Sequence, residues 1–269
     1  MKVPLWQGTT RVSRVDSSSV IPYKDDNPTV LTPVVTIGII VLNVLAWVFL
    51  QGAGSGSDLA ASVCQLGLIP GEITGAVPPG TRVPLGPGMT CVILTPHYAN
   101  VLTSMFMHGG WLHLIGNMWF LWVFGNNIED SMGHARFVVF YLLCGVAAAA
   151  TQVLISPASR VPMVGASGAI SGVLGAYVLL YPKVRVHTLV TLGFFVTTVA
   201  LPAYVMLGYW FVLQLLLGAV GVLSRVEGGV AVWAHVGGFL AGLVLIRLFV
   251  NPALTERRLA GEPREWWQR

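Results

Sequence analysis

Six apolar runs constrain this sequence more than any other feature. A helix needs about 20 mainly apolar residues to cross the hydrocarbon core of a bilayer. The chain has 269 residues, of which 55% are apolar and 10% are charged, whereas soluble domains carry about 25% charged residues. We therefore predict an all-α polytopic membrane protein with six transmembrane helices near Pro33–Gln51, Gly109–Asn126, Ala135–Ile155, Gly165–Tyr181, Tyr204–Leu223 and Val230–Val250.

The runs divide the chain into three parts. Residues 1–32 are polar and are expected to form a partly disordered tail, residues 33–250 form the membrane domain, and residues 251–269 form a second tail. A further apolar segment, Thr188–Leu201, ends before Pro202 and is short for a span, so we expect an interfacial or re-entrant piece. The fourth run is also short, which suits a helix that begins below the membrane surface.

Lys and Arg residues indicate the orientation of such a protein, because cytoplasmic loops carry an excess of them. With six spans, the side that holds both tails has 12 of these residues and the other side has 3. Both termini are therefore expected in the cytoplasm, and the multi-pass chain in a bacterial plasma membrane. The long first loop, residues 52–104, then lies outside. It is rich in Gly and Pro, so it is either irregular and packed or mobile.

Charge and cysteine usage narrow the functions further. The net charge of +4 comes from scattered basic residues, so the expected partner is the bilayer and not nucleic acid. The three cysteines show no zinc-type spacing. Cys144 lies in an apolar run and is expected to pack there. Cys64 and Cys91 share the first loop and can pair if that loop faces an oxidising compartment, so both states stay open.

Polar groups at membrane depth are costly and are candidates for function. His108, His113 and Asn117 lie at the outer end of the second run, and the last two share a helix face because four residues separate them. They either hydrogen-bond to loop backbone or belong to a site. A metal is not expected, since no carboxylate or cysteine lies at matching depth to complete a ligand set.

Ser167 lies at the start of the fourth run between two small residues, Gly165 and Gly168. If a helix starts here, the hydroxyl lies beside free backbone N–H groups and the positive end of the helix dipole. Such a position can stabilise an oxyanion. The alternative is a small-residue packing face, where serine is common.

His235 lies in the outer part of the sixth run and shares a helix face with Gly238 and Gly242. Glycines on that face let another helix approach closely, so the imidazole is expected to be buried and to need a partner. Ser167 lies at the same depth and is the candidate. None of the eleven acidic residues lies in the outer part of a span, which excludes a Ser-His-Asp triad on this topology and leaves a Ser-His dyad.

Together these stretches resemble the rhomboid family of intramembrane serine proteases. The matching motifs are His-x4-His-x3-Asn, Gly-Ala-Ser-Gly and Ala-His-x2-Gly-x3-Gly, in the second, fourth and sixth runs, and the likeness covers roughly residues 33–250. It implies a six-helix rhomboid-like bundle with Ser167 as nucleophile and His235 as general base. It also implies an oxyanion hole formed by Asn117, His113 and the Ser167 backbone N–H, with His108 hydrogen-bonding near the site. No cofactor is expected.

Two positions depart from the family pattern. Members often carry an aromatic residue four positions after the serine, where this chain has Ser171, so the support of the histidine must differ. The Trp-Arg pair common in the first loop is replaced by Ala99 and Asn100, which leaves the anchoring of that loop open. At the inner end of the second run, Glu129 and Asp130 are expected to cap or anchor neighbouring segments.

The leading hypothesis is a serine endopeptidase that cleaves transmembrane segments of other proteins near the outer face. A non-catalytic relative that binds membrane clients is the second hypothesis, although such proteins typically lack the serine or the histidine. A small transporter is the third, but its path needs polar groups across the full depth, and the inner halves of the runs carry few. The oligomeric state is not indicated.

Overall fold

The computed structural model describes residues 19–86, 89–93, 95–192, 195–224 and 231–260. Ten helices and five strands lie within these ranges. In chain order they are β1 Ser19–Asp25, α1 Val34–Phe49, α2 Gly56–Leu66, α3 Pro70–Ile73, β2 Arg82–Gly86, β3 Met89–Val92, α4 Asn100–Thr103, α5 Trp111–Met132, α6 His134–Ile155, α7 Ser167–Leu180, β4 Arg185–Leu192, β5 Phe195–Pro202, α8 Ala203–Ser224, α9 Val232–Phe249 and α10 Pro252–Leu259.

Each of the six predicted spans coincides with one helix, namely α1, α5, α6, α7, α8 and α9. Within the described residues, three helices are both long and apolar enough to cross a membrane: α6, residues 203–220 of α8, and α9. Helices α1 and α7 are apolar but shorter. A mainly helical protein with three candidate membrane spans is therefore observed, while the count of six spans stays a prediction.

Helices α7 and α9 form the closest pair of the bundle. A Cβ atom on Gly238 would lie 2.0 Å from Gly168 O, and one on Gly242 would lie 2.0 Å from Gly172 O. No side chain fits such a gap, so the two backbones touch along two helical turns. This contact fixes where the N-terminus of α7 lies relative to the first turns of α9.

Two carboxylates at the inner end of α5 bind the start of α1. Glu129 accepts hydrogen bonds from the backbone N–H groups of Val35 (2.9 Å) and Thr36 (2.7 Å) and from the Thr36 hydroxyl (2.7 Å). Asp130 accepts from the backbone N–H of Val30 at 2.8 Å. These bonds satisfy N–H groups that a helix start leaves without partners. The predicted capping and anchoring role is confirmed.

The N-terminal tail and the short apolar segment contain strands that the sequence analysis did not predict. Residues 19–25 form β1, which pairs antiparallel with β4, and β4 pairs with β5 to complete a three-stranded sheet. The predicted partly disordered tail therefore contains an ordered strand at residues 19–25, and residues 1–18 lie outside the described residues. Thr188–Leu201 belongs to the β4–β5 hairpin. Its many Val and Thr residues favour strands, and the distant β1 supplies the partner.

The described residues of the long loop 52–104 pack around a small core of their own. Its buried members are Ile69, Val77, Val83, Cys91 and Ile93. The structure joins Cys64 to Cys91 by a disulfide, which ties α2 to β3. Asn100 then fixes the segment near α5, because its side-chain amide donates to the carbonyls of Gln65 (3.1 Å) and Gly67 (3.0 Å).

Candidate active site

Ser167 is the first residue of α7, and the turn before it depends on glycine. Gly165 has φ +123°, a conformation that side chains disfavour. Its N–H donates to Ser104 O at 2.9 Å, which fixes the turn to the segment before α5. The start of α7 leaves backbone N–H groups free beside the half-buried serine.

His235 lies in the first turn of α9 and faces Ser167. Its Nε2 is 2.7 Å from Ser167 Oγ, within hydrogen-bond distance. The imidazole is buried, with 8% of its surface exposed. The close approach of α7 and α9 at Gly168 and Gly238 makes this distance possible. Nearby, Ser171 donates its hydroxyl to Ser167 O at 2.6 Å and makes no aromatic contact with the imidazole.

Two residues of α8 support the imidazole on its other side, and sequence reasoning missed both. His235 Nδ1 lies 3.0 Å from Gln214 Oε1. The ring of Trp210 lies 5.9 Å from the imidazole, centroid to centroid, with the planes tilted by 39°. The available sequence signal was Gln214 itself, a single amide in an otherwise apolar run.

His113 and Asn117 surround the turn before Ser167. A Cβ atom on Gly165 would lie 2.7 Å from His113 Nε2 and 3.5 Å from Asn117 Nδ2. Gly109 donates its N–H to His113 Nδ1 at 3.3 Å, so the proton of this neutral ring is on Nε2. Asn117 Nδ2 is buried and makes no hydrogen bond within the described residues. Both side chains therefore lie next to Gly165, two residues before the serine.

His108 lies beside His113, next to the candidate site. Its ring is fully buried and packs edge-on against His113 at 5.2 Å, and neither ring nitrogen has a hydrogen-bond partner among the described residues. Its backbone makes the hydrogen bonds instead. The N–H of His108 donates to Gln51 Oε1 and its carbonyl accepts from Gln51 Nε2, both at 2.8 Å. A hydrogen bond of this side chain near the site stays a prediction, and packing against His113 is the observed ring contact.

The arrangement suits acyl transfer. The Ser167 hydroxyl lies beside an imidazole nitrogen, as nucleophilic catalysis requires, and His113 and Asn117 lie beside Gly165, two residues before it. Within the described ranges, no group of three or more His, Cys, Asp and Glu side chains is positioned to hold a metal ion.

Comparisons with known proteins identify the family. The Rhomboid domain family matches residues 95–252, which is more than half of the chain. The chain is 29% identical over 161 residues to Rhomboid-like protein 11, chloroplastic, of Arabidopsis thaliana, covering 57% of this chain and 53% of that protein. It is 29% identical over 165 residues to Rhomboid protease GluP of Bacillus subtilis, covering 61% of this chain and 29% of that protein.

A third relative is Rhomboid protein 1, mitochondrial, of Saccharomyces cerevisiae, which is 30% identical over 163 residues, covering 59% of this chain and 44% of that protein. The matches thus span between 29% and 53% of the length of these three relatives. The matched region contains all three motifs that carry the resemblance to this family. The resemblance is therefore confirmed. The chain belongs to the rhomboid family.

Proposed function

We propose that this protein is an intramembrane serine endopeptidase with a Ser167–His235 dyad. The observation that carries the proposal is the 2.7 Å distance between Ser167 Oγ and His235 Nε2. Such a contact lets the imidazole take the hydroxyl proton as the oxygen attacks a carbonyl. One relative is named a rhomboid protease, which supports the same reaction class.

The steps of the reaction follow from the positions of these groups. His235 accepts the Ser167 proton, Ser167 Oγ bonds to the carbonyl carbon, and His235 returns the proton to the leaving amine. Water then attacks the acyl-enzyme and gives its proton to His235, which returns the proton to Ser167 Oγ as the ester bond breaks. Asn117 Nδ2, His113 Nε2–H and the Ser167 N–H stabilise the oxyanion.

The substrate proposed is a transmembrane segment of another protein, cut near the outer face. A regular helix hides its carbonyls, so the segment must unwind before Ser167 can reach one. We retain six spans with both termini in the cytoplasm as the proposed topology. Relatives named for chloroplasts and mitochondria give no support to a bacterial plasma membrane, so the proposal specifies a membrane and not a compartment.

Cleavage in liposomes tests the proposal. Purified wild-type protein is expected to cut a reporter protein with one transmembrane helix, with the cut site mapped by mass spectrometry. Ser167→Ala and His235→Ala are expected to lower the rate by a factor of at least about 10³, because each removes one half of the dyad. Ser57→Ala, an exposed serine remote in the chain, is the matched control. Cleavage by Ser167→Ala at the wild-type rate would overturn the proposal.

A further inference from the structure

Gln214 is an isolated amide in the middle of α8, in the apolar stretch Tyr209–Leu217. The half-buried side chain lies at the depth of the site, and its Oε1 is 3.0 Å from His235 Nδ1. An amide at membrane depth is costly unless it is hydrogen-bonded. The hydrogen-bond partner of the Gln214 amide is a ring nitrogen of His235, the proposed general base.

We propose that Gln214 is a positioning residue that sets the tautomer and orientation of His235. A neutral imidazole carries one proton, on either Nδ1 or Nε2. With Gln214 Oε1 as its partner, Nδ1–H donates, and Nε2 keeps the lone pair that must accept the Ser167 proton. The opposite tautomer would place a proton between Nε2 and Ser167 Oγ and block that transfer.

An amide suits this position better than a carboxylate would. After proton transfer the imidazolium still donates from Nδ1 to Gln214 Oε1, so the bond persists through the reaction. A carboxylate would add a charge at membrane depth, which is costly. Trp210 flanks the same ring, so α8 supplies both the polar and the packing support that Ser171 does not give.

The groups around His235 leave Gln214 as the orienting partner. Ser167 of α7 occupies Nε2, and the titratable side chain that faces His235 from α5 is His113, which carries no negative charge. From α6, Gln152 is occupied elsewhere, since its Oε1 accepts from the Ala234 N–H at 3.2 Å. No Asp or Glu of the described residues is an electrostatic partner of the ring.

The inference rests on the proposed function, so the test begins with wild-type cleavage. Gln214→Leu removes the acceptor and keeps the volume. It is expected to lower kcat about 10- to 100-fold and leave KM within about twofold, because base orientation is lost and substrate contacts are not. Gln65→Leu, an exposed amide in α2, is the matched control and is expected to keep wild-type kcat.

Gln214→Glu separates orientation from packing. The carboxylate can only accept, so it keeps the useful tautomer, and it stabilises the imidazolium. The acidic limb of the kcat/KM profile is therefore expected to shift about 1 to 3 pH units upward, with much of the rate recovered at alkaline pH. A role in packing alone would predict a lower Tm and no shift of the profile.

The two proposals fail separately. If wild-type protein neither cleaves the reporter nor is labelled by a fluorophosphonate probe, the proposed function is wrong. If the wild type does both, but Gln214→Leu keeps its kcat and Gln214→Glu keeps the wild-type pH profile, only the role of Gln214 is refuted.

Discussion

At the residue scale, the proposed tautomers place the protons of two neighbouring histidines on opposite ring nitrogens. His113 accepts the Gly109 N–H at Nδ1 and thus presents Nε2–H toward the turn before Ser167. His235 has an amide oxygen at Nδ1 and thus presents a lone pair toward the hydroxyl. The roles proposed on these tautomers are hydrogen-bond donor for His113 and base for His235. The tautomers differ because the neighbour of Nδ1 is a backbone N–H for His113 and an amide oxygen for His235.

Removal of the Asn117 amide tests the donor side of the site. Asn117→Ala is expected to lower kcat by about 10²- to 10³-fold with little change in KM, because an oxyanion donor acts mainly in the transition state. Steady-state kinetics on the reporter substrate measure the effect. Asn126→Ala, at the inner end of the same helix, is expected to keep the wild-type kcat. Equal rates for the Asn117 variant and wild type would contradict the assignment.

At the element scale, the α7–α9 contact positions the site. Gly168 and Gly172 on α7 meet Gly238 and Gly242 on α9 at backbone distance. Larger residues at these positions would separate the helices and move Ser167 away from His235. The same small residues that favoured a packing interpretation of Ser167 are therefore required for its contact with the imidazole.

The close contact between α7 and α9 predicts that a Gly→Ala substitution lowers the free energy of unfolding inside the contact and not outside it. Gly242→Ala places a methyl group against Gly172 O and is expected to lower the free energy of unfolding by about 1–3 kcal/mol. On α5, the added Cβ atom of Gly116→Ala would have no heavy atom within 4 Å, so this variant is expected to leave stability unchanged or slightly higher. Thermal unfolding in detergent compares the two. Equal Tm values for both variants would argue against the packing account.

At the scale of the whole molecule, carboxylates tie β1 and the start of α1 to the C-terminal parts of α5 and α7. Glu129 binds the start of α1. Asp25, on β1, accepts hydrogen bonds from Tyr177 Oη at 2.5 Å and Asn127 Nδ2 at 2.7 Å, which links the sheet to α5 and α7. The candidate site lies at the N-terminal ends of α5 and α7, and these structural polar groups lie toward their C-terminal ends.

This placement of Asp25 predicts a pH dependence of stability. Burial raises the pKa of its carboxyl group above the ordinary value of 3.8. The folded state therefore favours the protonated form, and the contribution of Asp25 to stability is lost as the pH rises from about 3.8 through the raised pKa. Asp25→Asn keeps an acceptor and removes the titration. Wild-type stability relative to this variant is expected to fall with rising pH in unfolding experiments in detergent, and a rise would contradict the account.

Much of the helical framework and the positions of the candidate residues follow from local patterns. Apolar runs predict helices because backbone groups in lipid must pair internally, and the glycines beside His235 predict a close helix contact. Gln214 could not be assigned, because its partner lies 21 residues away on another helix. β1 was missed because its partner β4 begins about 160 residues later, and pairing over that distance has no local signal; β4 and β5 were missed because their apolar residues were interpreted as one membrane-associated segment.

Covalent labelling measures the central claim most directly. A fluorophosphonate probe reacts with a serine hydroxyl that a neighbouring base activates, and mass spectrometry locates the adduct. The account predicts one adduct, on Ser167, which is absent in Ser167→Ala and strongly reduced in His235→Ala. Cleavage of the reporter without an adduct on Ser167, or an adduct that persists at full yield in His235→Ala, would contradict a Ser167–His235 dyad.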